Sequence, residues 1–150
     1  MGHGLFPSIV SDDLIPWGTL SSLSAVPGKP SLLVASTDAA YVPTRILTID
    51  TATSPAKIFK QLTVTKDGTP VGYDAEGLAA RKGGGYWIAS EGSATTPNLL
   101  VRLDAKGAVQ QEIPLPAHIA AAVTTNGFEG DDAIDDATGE TQFFRLGRLL

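Results

Sequence analysis

The chain repeats itself. Leu23-Ser-Ala, Leu33-Val-Ala-Ser36 and Ile46-Leu-Thr-Ile-Asp50 return as Leu78-Ala-Ala, Trp87-Ile-Ala-Ser90 and Leu100-Val-Arg-Leu-Asp104, displaced by 54 to 55 residues. Ser36 to Asp50 and Ser90 to Asp104 both span 14 positions. A third start, Asn126-Gly-Phe-Glu-Gly130, follows Asp74-Ala-Glu-Gly77 at an offset of 53. Self-similarity at a period of this length marks an architecture of stacked supersecondary units, each too small to bury its own apolar face alone.

Four strands fit the second copy: Glu76–Arg81, Gly85–Ser90, Asn98–Asp104 and Ala108–Leu115. The third alternates cleanly, with Leu99, Val101 and Leu103 on one face and Arg102 on the other, the position of a snorkelling surface arginine. Asp104-Ala-Lys-Gly107 is a turn, and Pro114 and Pro116 suit the end of an outer edge strand, where a missing N–H does little harm. The first copy supplies Thr19–Val26, Ser31–Thr37, Arg45–Asp50 and Ala56–Val64. A four-stranded meander repeated at 40–55 residues is the signature of a β-propeller blade. The expected fold is therefore all-β, one partial propeller domain over residues 1–150: a leader at 1–18, blades at 19–64 and 73–116, and the start of a third blade at 126–150. Strands Glu129–Ile134 and Gln142–Phe144 open that third blade, but Arg145–Leu150 leaves the pattern.

About two and a half blades do not close a ring, since propellers use typically four or more. An open arrangement bares strand edges and blade faces. The chain is therefore read either as a fragment or as a protein that completes its ring as a homo-oligomer, and the flank of 19–64 is expected to be exposed and prone to association.

Composition narrows the function. Sixteen Gly and ten Pro among 150 residues fit many short strands, and no stretch approaches the length of a membrane span. The net charge of −5 and scattered Lys and Arg argue against nucleic-acid and membrane partners, and a phosphate-rich substrate would need a local cationic site or a bound metal. The absence of cysteine removes disulfides, thiolate zinc sites and cysteine nucleophiles. No basic region followed by an apolar core opens the chain, so no signal peptide is visible.

Glu-Gly recurs at Glu76-Gly77, Glu91-Gly92 and Glu129-Gly130. A hairpin centred on Gly83-Gly84 places residues whose numbers sum to about 167 opposite one another, which pairs Glu76 with Glu91. Two carboxylates across a ladder repel, so a cation, a basic neighbour or a raised pKa must compensate. The first strand of a blade is the innermost, so Glu76 and Glu129 are expected at one end of the central channel, a carboxylate ring suited to a hard cation such as Ca²⁺. Asp131, in the acidic run after Glu129, is a fourth candidate ligand. The competing reading makes each Glu a loop cap and each Gly a tight approach or bulge. The first blade departs, with Ser21-Ser22 and Thr37-Asp38 at the equivalent positions, so any site is asymmetric. His3 lies in the leader and His118 in an inter-blade loop, neither a strong general base. No G-x-S-x-G elbow is present, and Gly83-Gly84-Gly85 opens a strand, so it is a turn and not a phosphate loop. Tyr86 and Trp87 alternate across a strand, and one of them is expected to pack between blades.

Asp74-Ala-Glu-Gly-Leu-Ala79, Gly85-Tyr-Trp-Ile-Ala-Ser-Glu-Gly92, Leu100-Val-Arg-Leu-Asp104 and Asn126-Gly-Phe-Glu-Gly130 follow in an order that resembles the phytase-like propeller family, described as having esterase-like activity of phytase. The likeness covers roughly residues 19–130. It implies a six-bladed-type propeller, export from bacteria, and a hydrolase acting on phosphate or carboxylic esters, with a small-molecule ester as substrate. With Glu76, Glu91, Glu129 and Asp131 as Ca²⁺ ligands, the expected mechanism is metal-assisted attack of water on the ester. The alternative is a non-catalytic propeller used for binding or scaffolding, or an inactive fragment.

Overall fold

The computed structural model describes residues 9–11, 15–93, 95–120, 133–135 and 141–143. Two antiparallel meanders dominate it. The first runs through β2 (Leu20–Val26), β3 (Lys29–Thr37), β4 (Arg45–Asp50) and β5 (Ala56–Thr63), with β1 (Ile9–Ser11) added beside β5, in the order β1-β5-β4-β3-β2. The short pair β6 (Thr65–Lys66) and β7 (Thr69–Pro70) leads to the second, β8 (Ala75–Ala80), β9 (Tyr86–Ser90), β10 (Leu99–Leu103) and β11 (Val109–Pro114), in the order β11-β10-β9-β8. A four-residue helix, α1 (Ala117–Ala120), follows. Past it, β12 (Ala133–Asp135) pairs antiparallel with β13 (Thr141–Phe143). The protein is all-β, an incomplete propeller-like arrangement with no closed barrel among the described residues.

Packing follows from which faces carry the apolar residues. On β10, Val101 and Leu103 are fully buried and Leu99 packs beside them, as the alternation requires. They join Leu78 and Ile88 against Val34 and Ile46 of the first sheet, so a continuous core fills the space between the meanders. β4 is central to its sheet and buried on both faces, which is why apolar residues stand on both of them, Ile46 on one and Leu47 and Ile49 on the other. The innermost strands β2 and β8 meet side by side. Hydroxyls stitch this seam: Ser21 donates to the Ala75 carbonyl, Ser36 donates to the same carbonyl at 3.5 Å, and the Ala80 N–H donates to Ser24 Oγ at 3.2 Å.

Between the blades, Lys66-Asp-Gly-Thr69 makes a two-residue hairpin turn with φ of 51° at Asp67 and 78° at Gly68, the geometry an Asp-Gly pair favours. Thr44 ties this crossing down, donating its N–H to the Val71 carbonyl at 3.1 Å and accepting the Tyr73 N–H at 2.6 Å. Lys66 Nζ and the Tyr73 hydroxyl both reach Glu112 on β11, at 2.5 Å and 2.6 Å. The Asp104–Gly107 turn forms as expected. The Lys106 and Ala108 N–H groups donate to Asp104 Oδ1, holding that carboxyl below its ordinary value.

The expected exposure of the first blade's flank is corrected by the structure. Ala35, Leu47, Ile49 and Ile58 are at most 1% exposed, covered by Ile15, Trp17 and Leu20. The physical reason is the path of the chain. β1 lies outside β5 and β2 is the innermost strand, and just before β2 the chain lays Ile15 and Trp17 on the buried face of the sheet. Part of the leader 1–18 thus serves as a strap over the blade.

Candidate functional site

The β8–β9 hairpin sets the geometry. The Arg81 N–H donates to the Gly85 carbonyl at 3.0 Å, closing a loop over Lys82-Gly-Gly84 with φ of +90° at Gly84 and +83° at Gly85. No side chain fits at Gly85, where a Cβ would lie 2.3 Å from the Leu103 carbonyl oxygen. Leu78 consequently pairs with Ile88 and Gly77 with Ala89, a register centred on Gly83. The ladder then slips: Ala75, not Glu76, stands opposite Ser90, and Glu76 is the extra residue of a β-bulge. The Glu91 N–H donates to the Asp74 carbonyl at 2.8 Å, so Asp74 is the residue across from Glu91. The expected direct pairing of Glu76 with Glu91 is therefore corrected. The three-residue glycine loop moves the register by one position, and the bulge by another.

The two carboxylates converge all the same. Asp74, Glu76 and Glu91, all half-buried, bring one oxygen each within 4.8 Å of one another. The bulge is what allows this, because it turns Glu76 out of strict alternation toward the end of the sheet where Asp74 and Glu91 lie. Burial pushes the Asp74 carboxyl above its ordinary value, and the charges of Glu91 and then Asp38 add to the rise, while the Ala39 N–H opposes it. Asp74 carries no signal in the sequence beyond its place in the Asp74-Ala-Glu-Gly motif, because its position across from Glu91 depends on the bulge.

The first blade carries the same backbone device. Leu20 pairs with Thr37 and Ser22 with Ser36, leaving Ser21 bulged as Glu76 is. The Asp38 N–H donates to the Thr19 carbonyl at 3.1 Å, as Glu91 does to Asp74. By ladder position Thr19, Ser21 and Asp38 correspond to Asp74, Glu76 and Glu91. The sequence equivalence of Thr37-Asp38 with Glu91-Gly92 is thus shifted by one, because the β9–β10 loop is one residue longer than the β3–β4 loop. Asp38 is the acidic residue that the first blade adds to this end of the structure.

Gly92 has a structural reason of its own. A Cβ there would lie 2.5 Å from the Thr96 carbonyl oxygen, and its N–H donates to Asn98 Oδ1 at 3.0 Å. Glu129, Asp131 and His3 lie outside the described residues. His118 is exposed on α1. Tyr86 packs on the core between the sheets, while Trp87, 8% exposed, lies on the opposite face of β9. Arg102 stands opposite Trp87 with its Nε buried and without a hydrogen-bond partner, so it is not a plain surface arginine.

A family model described as phytase-like, with the esterase-like activity of phytase, matches residues 15–138. No curated protein and no solved structure matches.

Proposed function

Because this chain belongs to the phytase-like family, whose description is the esterase-like activity of phytase, we propose that it is an ester hydrolase centred on Asp74, Glu76 and Glu91. The observation that supports this is the convergence of three carboxylates from one hairpin within 4.8 Å. Like charges so close, in a half-buried setting, raise the free energy of the folded chain unless positive charge meets them. The donor set is oxygen throughout, with no nitrogen or sulfur, and so fits a hard divalent cation, Ca²⁺ first. Glu129 and Asp131 belong to the proposed ligand set as further oxygen donors.

A bound divalent cation supplies charge neutralisation and an activated water at such a site. The chain's own residues do the rest. Glu91 is fixed by its backbone bond to Asp74, and Glu76 by the bulge, so both carboxylates are aimed before any ligand arrives. Substrates in the proposed class are carboxylic or phosphate esters of small molecules.

The test is turnover of p-nitrophenyl esters with and without calcium, in parent protein and in Glu91→Gln. Calcium-dependent release of p-nitrophenol that the substitution removes is the expected outcome. A parent that turns over neither ester supports a non-catalytic binding module instead.

A further inference from the structure

We propose that the first blade carries a self-association surface, the stripe of Leu23 and Ala25 on the face of β2 turned away from the second blade. Its partner is the same stripe of a second copy of this chain.

The repeat marks the place. Directly opposed residues of an antiparallel ladder point to the same face of a sheet. In the second blade Leu78 pairs with Ile88 and Ile88 with Val101, while Ala80 pairs with Tyr86 and Tyr86 with Leu103. That face packs on the first blade, and Leu78 is 3% exposed. The same ladder positions of the first blade hold Leu23, Ala35 and Leu47 in one row and Ala25, Leu33 and Ile49 in the other. This face is met by Ile15, Trp17 and Leu20 rather than by a sheet. They help to bury Ala35, Leu47, Ile49 and Ile58 but stop short of the middle of the innermost strand. There Leu23 is left 60% exposed, with Ala25 exposed beside it. Leu23 and Leu78 thus occupy one place in the repeat, the first bare and the second packed.

Phe59 is also exposed, for a different reason. It is the extra residue of a bulge in β5, and the extra residue at the matching place in β11, Gln110, is exposed too. Exposure there belongs to the repeat, whereas at Leu23 it departs from it.

Charge favours a second copy as the occupant. From Ile15 to Gly28 the chain carries no Asp, Glu, Lys, Arg or His, although its net charge is −5. An isologous contact sets a patch against itself, so a charged stripe would repel its own copy, and this one has no charge to repel. The far face of the second blade is not on offer to a partner, since its Ala79, Trp87 and Ala89 are already buried. The stripe therefore meets its like. A two-fold axis near Ser24 would set Leu23 of each copy over Ala25 of the other, large against small.

The test is sedimentation equilibrium of the parent, Leu23→Glu, Ala25→Glu and Phe59→Glu, with thermal melts of each. The parent should dimerise reversibly between about 5 and 200 µM. Leu23→Glu should weaken the dimer at least about tenfold, because like charges would then be buried against each other, and Ala25→Glu should act in the same way. Both positions are exposed in the single chain, so melting temperatures at low concentration should stay within about 3 °C of the parent. Phe59→Glu should leave the dimer intact. A parent that is monomeric at the highest concentration, or a dimer that Leu23→Glu and Ala25→Glu leave intact, overturns the inference. The stripe would then belong to another occupant, such as a further blade. Dissociation by Phe59→Glu alone overturns it as well, because the contact would lie on the outer strand.

Discussion

Replacing Glu76 by Gln keeps the shape of the bulged side chain and removes its charge. With three oxygens within 4.8 Å, each charge pair repels by at least about 0.9 kcal/mol at the dielectric of water and about 3.5 kcal/mol at an effective value of 20. Half-buried groups lie between these limits, and Glu76 takes part in two of the pairs. Even at the dielectric of water the two pairs together amount to about 1.7 kcal/mol, so Glu76→Gln should stabilise the cation-free protein by about 2 kcal/mol or more. Calcium acts in the opposite sense across the pair of proteins. At a hundredfold excess over its dissociation constant, a ligand of the native state adds about 2.7 kcal/mol, a rise in melting temperature of roughly 5–10 °C for a chain of this size. The parent should show that rise and Glu76→Gln little of it. Thermal melts followed by far-UV circular dichroism, with calcium and with a chelator, read both effects. A Glu76→Gln protein that melts lower than a calcium-insensitive parent would refute the reasoning. Glu76 would then be a loop cap whose hydrogen bonds outweigh its repulsion.

Trp17→Ala should lower stability by about 2 kcal/mol in urea unfolding, less than a fully buried Trp because the ring is half-exposed. It should also uncover Leu47, Ile49 and Ile58, so sedimentation should show stronger concentration-dependent association than in the parent. Lys66 and then Tyr73 hold the Glu112 carboxyl below its ordinary value of 4.5, so its stabilising contribution is present above that value and lost as pH falls through the folded one. Glu112→Gln should flatten the acid limb of the melting temperature below pH 4.5, and an unchanged limb would show that the contact contributes nothing.

Much of the fold was legible because burial imposes a period on the residues. β4 spans Arg45–Asp50 as expected, bracketing its apolar residues with a charge at each end, and β10 alternates as its sequence does. β3 starts two residues earlier than expected, at Lys29, because Gly28 at φ +72° closes a tight turn directly after β2. What composition and period could not convey were the non-local choices. β1 is three residues long and takes a parallel partner 47 positions away, so nothing local marks it. Ile15 and Trp17 read as leader because their apolar surface answers to a sheet face assembled from residues 35–58. The candidate site was legible as residue types and misread as register, since one glycine loop and one bulge each displace the ladder by a residue without changing the repeat.

The recurrence of the bulge separates what the fold needs from what the site needs. Both meanders place an extra residue at the second position of the innermost strand, Ser21 in one and Glu76 in the other. A device present in both blades, whatever side chain it carries, belongs to the architecture, where it turns the strand end against its neighbour. The side chains then diverge. Ser21 spends its hydroxyl on the Ala75 carbonyl and so closes the seam between the blades. Glu76, at the equivalent place, extends a carboxylate toward Asp74 and Glu91. Thr19 and Asp74 divide in the same way, one polar and one charged, whereas Asp38 and Glu91 keep an acid in both. The repeat accordingly builds identical frames and loads only the second with three carboxylates. Asymmetry of the cluster, expected from the sequence, arises from side-chain choice on a shared backbone and requires no difference in fold.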